Sequence, residues 1–224
     1  AEAAVPQPAS AIAALVDGFT NNAMAIYEMG PPAATIEHAV LDWMLAKAGW
    51  RPAPFPGESR PPEPHGGGVL THGGSLANLT VLLAARGRVA PKAWTEGTPR
   101  NLVILAPATS HYSIARAAGI LGLGQNALRH PPCDGDGRLV PAQLGPFIDN
   151  LRRDGSQILA VVANACSTAL GLYDRLRDIA EVCRDRAVWL HVDGAHGASA
   201  LVSERLRGHL DGLELADSLI WDAH

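Results

Sequence analysis

Two short segments of the chain carry residue types that do chemistry only in company. The first is Thr71-His72-Gly73-Gly74-Ser75-Leu76-Ala77-Asn78, which runs into a helix expected over Leu79 to Arg86. Small residues let the backbone approach a ligand closely, and the free N–H groups and dipole at a helix start favour an anion, phosphate being the obvious one. The same residues also suit a plain glycine turn with Ser75 as N-cap. No Lys-Ser/Thr pair follows the glycines and the GxGxxG spacing is missing, so this is neither a Walker loop nor a dinucleotide fingerprint. The second segment is His191-Val192-Asp193-Gly194-Ala195-His196. It closes an expected strand, where a carboxylate at Asp193 is costly to bury unless it meets a cation or several donors. Three partners are open to it: a metal held by His191, Asp193 and His196, a protonated ring nitrogen of a heterocyclic cofactor, or the backbone of the next segment, which Asp193 would cap. His111 and the pair Ser167-Thr168 each follow an apolar run by one short loop, adding polar or flat side chains at further strand ends.

Such positions matter because of the elements that hold them. Apolar residues recur at helical spacing from Ser10 to about Gly18 and from Ala33 to about Gly49, where Ile36, Val40, Leu41, Met44 and Leu45 form one face; Gly30-Pro31-Pro32 joins the two helices. Arg51 to Gly68 holds six prolines and four glycines and reads as a loop. Beyond it, short apolar runs alternate with helical ones. Leu102 to Ala106 precedes a helix over Ala115 to Leu121, and Gln157 to Ala163 precedes one from Asp174, its expected N-cap, to Arg186; strands are then expected over Ala187 to Val192 and Ser218 to Trp221. That alternation predicts an α/β fold with a mostly parallel sheet between helices. The organisation reads as an N-terminal helical segment over 1–50, a Pro/Gly-rich loop over 51–68 and a ligand-binding large domain over 69–224. In such sheets ligands bind beyond the C-terminal strand ends, where the residues above fall.

Composition narrows the classes further. The chain has 224 residues, 47% of them hydrophobic and 18% charged, which is ample for a buried core. A net charge of -4 with no block of like charge argues against nucleic acid or a membrane surface as partner. Cys133, Cys166 and Cys183 are widely spaced and form no CxxC pair, so a reducing, cytoplasmic setting is expected and a disulfide framework is not. Lysine is scarce: Lys47 and Lys92 are the only two, against 16 arginines.

Taken together, these segments resemble the group II pyridoxal-phosphate-dependent amino-acid decarboxylases, the family of glutamate, cysteine-sulfinate, diaminobutyrate and aromatic amino-acid decarboxylases. The resemblance runs from about Ala23 to His224. It is carried by Gly66 to Thr71 with Gly73 to Leu79, by Ser110-His111-Tyr112-Ser113, by Ser167-Thr168, by Trp189 to Asp193, and by Ala216-Asp217-Ser218 with Trp221-Asp222-Ala223-His224. It implies an aspartate-aminotransferase-like (type I) large domain, a small C-terminal domain beyond this chain, and a homodimer with active sites at the subunit interface. It also implies roles. Asp193 pairs with the pyridine nitrogen of pyridoxal 5'-phosphate, His111 stacks on one face of the ring and Ala195 packs on the other, Gly74 and Ser75 hold the phosphate with His224 close by, and Thr168 sits near the phenolic oxygen or the substrate carboxylate. The implied reaction is decarboxylation of an L-amino acid to the amine through an external aldimine and a quinonoid.

The Schiff-base lysine of the family is expected directly after His224, where the sequence stops, so the chain reads either as a segment of a longer polypeptide, the favoured reading, or as one of two chains that make up the enzyme. Neither Lys47 nor Lys92 lies in a suitable motif. Leu76 stands where many members carry Glu, Cys166 where Gly is common, and His196 where the branch acting on acidic substrates usually has an aromatic residue. Tyr27-Glu28 with Pro31 resembles that acidic branch. Three alternatives stay open at this level: a metal-dependent hydrolase built on His191, Asp193 and His196, oxidative deamination on the same fold, and a catalytically silent dimer partner.

Overall fold

A computed structural model of the chain describes residues 7–54 and 64–222. Its backbone divides after Leu70 into two units. The first holds α1 (Pro8–Thr20) and α2 (Pro31–Lys47), with a single 3-10 turn at Tyr27–Met29 between them. Pro31 and Pro32 do not join the helices, as the sequence had implied; they form the first turn of α2, where a missing N–H costs nothing and a fixed φ is already helical. The apolar spacing does make a helix, and its apolar face is largely open: Ile36 is 65% and Val40 41% exposed, and Leu45 is the buried member. Nothing on α1 is buried, and Phe19 is 91% exposed. Periodicity reports a helix with an apolar stripe; it does not say whether the same chain covers that stripe.

The second unit is built on a parallel sheet. In chain order follow α3 (Gly73–Val89), α4 (Ala93–Glu96), β1 (Leu102–Leu105), α5 (Ser113–Ile120), β2 (Leu128–Arg129), α6 (Pro141–Arg153), β3 (Gln157–Asn164), α7 (Leu176–Asp185), β4 (Leu190–Asp193) and β5 (Ser218–Ile220). The five strands are ordered β2-β1-β3-β4-β5, every neighbouring pair parallel. Strands covered on both faces read as unbroken apolar runs, and all four residues of β1 and of β4 are buried. On one face α3 and α5 pack together, and Leu82, Ala85, Ile114 and Ala117 meet Ile104, Ala160 and Val162 of the sheet. Each fully buried leucine or isoleucine there contributes roughly 1.5–3 kcal/mol. On the other face α6 and α7 pack against each other and on β3. Leu176, Ile179, Ala180 and Cys183 make the buried stripe of α7 at i, i+3, i+4 and i+7.

Asp174 is not the N-cap of α7. That position is Arg175, and the buried Asp174 carboxylate instead accepts the backbone N–H of Leu139 at 2.8 Å and of Asn164 at 2.7 Å, tying the end of β3 to the loop before α6. Helix α6 itself escapes a sequence reading because Pro141, Gly145 and Pro146 look like loop residues. Pro141 sits in the first turn, where its missing N–H costs nothing, and the Arg186 guanidinium lies over Gly145 and pairs with Asp149 at 2.9 Å. No helix among the described residues is long and apolar enough to cross a membrane.

Candidate active site

Strand register puts Asn164, Asp193 and Ile220 abreast at the C-terminal edge of β3, β4 and β5. Asp193 is only 7% exposed. Its Oδ2 accepts a hydrogen bond from Asn78 Nδ2 of α3 at 3.0 Å, and its Oδ1 accepts the N–H of Ala195 at 3.3 Å. Among the described residues no salt bridge reaches this carboxylate. Two neutral donors do not replace the hydration of an ion, so a cationic group brought beside this carboxylate would be stabilised there.

Facing that edge is the start of α3. The helix begins at Gly73, with His72 at the N-cap position and no side-chain cap, so Ser75 lies within the first turn and is not the cap. The N–H groups of this turn have no partner inside the helix and suit an anion. A Cβ at Gly74 would stand 3.0 Å from the Ala195 Cβ, so a side chain there requires Ala195 to give by a few tenths of an ångström. Gly194 is held more tightly, since its Cβ would fall 2.8 Å from the Ala198 Cβ and 2.9 Å from the Ile220 carbonyl oxygen. The tight turn after β4 therefore brings Ala195 against the start of α3. One feature was not foreseen: the N–H of Gly74 donates to Asp222 Oδ2 at 3.2 Å, which places a carboxylate on the first turn of α3.

His111 precedes α5 and is half-buried; its Nδ1 lies 2.8 Å from Ser113 Oγ, and its ring is tilted against Tyr112 with centroids 4.1 Å apart. Thr168 is exposed in the turn after β3 and is not joined to the Asp193 cluster by a hydrogen bond. His224 lies outside the described residues.

The metal reading fails on its donors. His191 is fully buried with both ring nitrogens engaged, Nε2 with Asn78 Oδ1 at 2.8 Å and Nδ1 with Ser218 Oγ at 3.1 Å, while His196 is exposed. Among the described residues no group of three or more His, Cys, Asp or Glu side chains is arranged to hold an ion. Burial pushes the His191 imidazole down to about 4, against the opposing pull of the Asp193 charge. It is thus a neutral structural element of the site. Asn78 was passed over as part of a helix start; the signal was a polar residue in the buried stripe Asn78, Leu82, Ala85, Arg86 of α3.

The buried Asp193 carboxylate therefore lies close to the first turn of α3, whose Gly74 N–H already meets the Asp222 carboxylate. The pyridoxal-dependent decarboxylase conserved domain matches residues 4–224. Acidic amino acid decarboxylase GADL1 of Mus musculus is 34% identical over 218 residues, covering 96% of this chain and 37% of the relative. Cysteine sulfinic acid decarboxylase of Rattus norvegicus is 36% identical over 207 residues, 91% of this chain and 39% of that protein. Among solved structures, mouse CSAD in its apo form superposes with a TM-score of 0.87 at 31% identity, over 96% of this chain and 43% of its own. The chain thus spans about two fifths of the length of the curated relatives it matches. Because that conserved domain matches residues 4–224, nearly the whole chain, the chain belongs to the pyridoxal-dependent decarboxylase family.

Proposed function

We propose that the protein containing this chain binds pyridoxal 5'-phosphate and decarboxylates an L-amino acid to its amine and carbon dioxide. The observation that carries this reading is Asp193, a buried strand-end carboxylate with neutral donors only. When bound, the cofactor supplies an electron sink for the pair left behind by the departing carboxylate. Asp193 holds the proton on the ring nitrogen, which keeps that sink positive. Gly74 and Ser75 hold the phosphate at the start of α3, with His224 close to it. His111 and Ala195 bound the two ring faces, and Thr168 serves the phenolic oxygen or the substrate carboxylate. The protein's part would be orientation and electrostatics, with these residues positioning the substrate's carboxylate beside the cofactor.

In this reading residues 69–224 are most of the large domain, a small domain follows, and the Schiff-base lysine comes directly after His224. The exposed apolar residues Ile12, Leu15 and Phe19 of α1 and Ile36 of α2 offer an apolar surface that supports a homodimer, and the family resemblance adds an active site at the subunit interface.

The test uses the complete polypeptide saturated with cofactor. Carbon dioxide release is measured on a panel that starts with cysteine sulfinate, aspartate and glutamate and extends to aromatic amino acids. Asp193→Asn keeps the shape and removes the charge, so turnover on the best substrate should fall at least ~10²-fold, about 2.7 kcal/mol of barrier. Wild-type turnover in that variant, or no release from any amino acid, would overturn the proposal.

A further inference from the structure

We infer that Asn78 is a positioning residue that holds Asp193 and His111 together through one amide group. The inference rests on the functional reading above only for what those two side chains face. Asn78 is 1% exposed, His191 0%, Ser113 1% and Asp193 7%, so every polar atom among them must find its partner within the protein. The partners fix the direction of each bond. Asn78 Nδ2 lies 3.0 Å from Asp193 Oδ2 and 2.9 Å from Ser113 Oγ, and since a carboxylate only accepts, this end of the amide is the NH2 and Oδ1 is the end that faces His191.

Two further consequences follow along the chain of bonds. His191 Nε2, 2.8 Å from Asn78 Oδ1, must be the N–H of that ring. Its Nδ1 then accepts from Ser218 Oγ at 3.1 Å, and Ser218 Oγ in turn accepts the indole N–H of Trp189 at 2.8 Å. On the other branch Ser113 Oγ accepts from Asn78, so its own proton is free for His111 Nδ1 at 2.8 Å, and the Ser113 N–H points at the same nitrogen from 3.3 Å. His111 Nδ1 is an acceptor twice over, which puts the His111 proton on Nε2.

The result is a one-way series of donors from Trp189 through Ser218 and His191 to Asn78, where it forks. One NH2 proton fixes the rotation of the Asp193 carboxylate; the other, through Ser113, fixes the tautomer of His111. The His191–Asn78 bond serves to keep the amide from flipping. A flipped amide would turn its oxygen toward the Asp193 carboxylate and leave two buried acceptors face to face.

The closing experiment separates this inference from the cofactor reading. In the complete, cofactor-free polypeptide with ¹⁵N-labelled histidine, NMR reads the tautomer of His111, its signal assigned by its loss in His111→Gln. Wild type should show one tautomer with the proton on Nε2. Ser113→Ala, which leaves only the long backbone contact, should show both tautomers in exchange, with affinity for pyridoxal phosphate within about twofold of wild type because the Asp193 branch is intact. Asn78→Leu removes both branches without adding charge, and in the loaded enzyme kcat should fall about 10- to 100-fold with KM changed less than about threefold. An unchanged single tautomer in Ser113→Ala, or a kcat in Asn78→Leu within about threefold of wild type, would overturn the inference. Should Asn78→Leu not fold, the tautomer in Ser113→Ala decides alone. Failure of wild type to take up the cofactor would count against the proposed function and leave the tautomer result standing.

Discussion

The buried, neutral His191 makes acidification a specific perturbation of the site. Its ring is fully enclosed, and burial lowers it from an ordinary 6.5 to about 4. Above about pH 6.5 both folded and unfolded chains carry it neutral, and it contributes nothing to pH dependence. As the pH falls below that value the unfolded chain takes up a proton that the native site refuses, so stability drops with acid and the drop is complete near the folded value. The magnitude is about 2 kcal/mol at pH 5 and about 3 kcal/mol at pH 4, at 1.4 kcal/mol for each unit. Openings that expose His191 should therefore become about 30-fold more frequent between pH 7.5 and pH 5. Hydrogen exchange at the amides of Leu190 to Gly194, followed by mass spectrometry in the cofactor-free polypeptide and corrected for the chemical exchange rate, reads this directly. Asp174 acts in the opposite sense, because desolvation raises its carboxyl and its contribution to stability is lost as pH rises through the folded value. The decisive comparison is thus with His191→Gln, whose amide still donates toward Asn78 but does not titrate. Its protection should be lower overall and should lack the 30-fold fall. Equal pH dependence in wild type and variant would refute the assignment of a neutral, sealed His191.

Two further outcomes follow from the same site. Asp222 places a carboxylate on the Gly74 N–H, where it opposes a phosphate bound to that turn, so Asp222→Asn should tighten pyridoxal phosphate binding about tenfold in a fluorescence titration; weaker binding would mean that the carboxylate supports the cradle. Borohydride reduction of the holoenzyme followed by peptide mapping should place the pyridoxyl label on the residue directly after His224. Lys92 is a surface residue paired with Glu96 at 3.4 Å and Lys47 lies over the Trp43 ring, and a label on either would contradict the family's arrangement.

What could be seen in the sequence, and what could not, divides along a physical line. Asp193 was legible because its cost is local: a carboxylate that ends an apolar strand announces a partner before any contact is known. The glycines at 73 and 74 were legible for a similar reason, since backbone freedom is a property of the residue itself. Helix α6 was hidden by its own local signals, because Pro141, Gly145 and Pro146 all argue for a loop and only the buried Leu144 and Ile148, with the Asp149–Arg186 pair across to α7, outweigh them. The metal alternative at His191 stayed open in the sequence for the complementary reason. A histidine two residues before an aspartate on a strand shares its face, which is the spacing a metal site would use, and the sequence does not say that α3 supplies an asparagine to occupy the ring. The apolar face of α2 shows a further limit, since its periodicity is sound but does not tell whether the face is buried, and Ile36 and Val40 are exposed. Local chemistry is therefore readable residue by residue. Which donor meets which acceptor is decided by the crossing of α3 over β4, a relation between residues more than a hundred positions apart, and that crossing turns Asn78 from a helix residue into the pivot of the site.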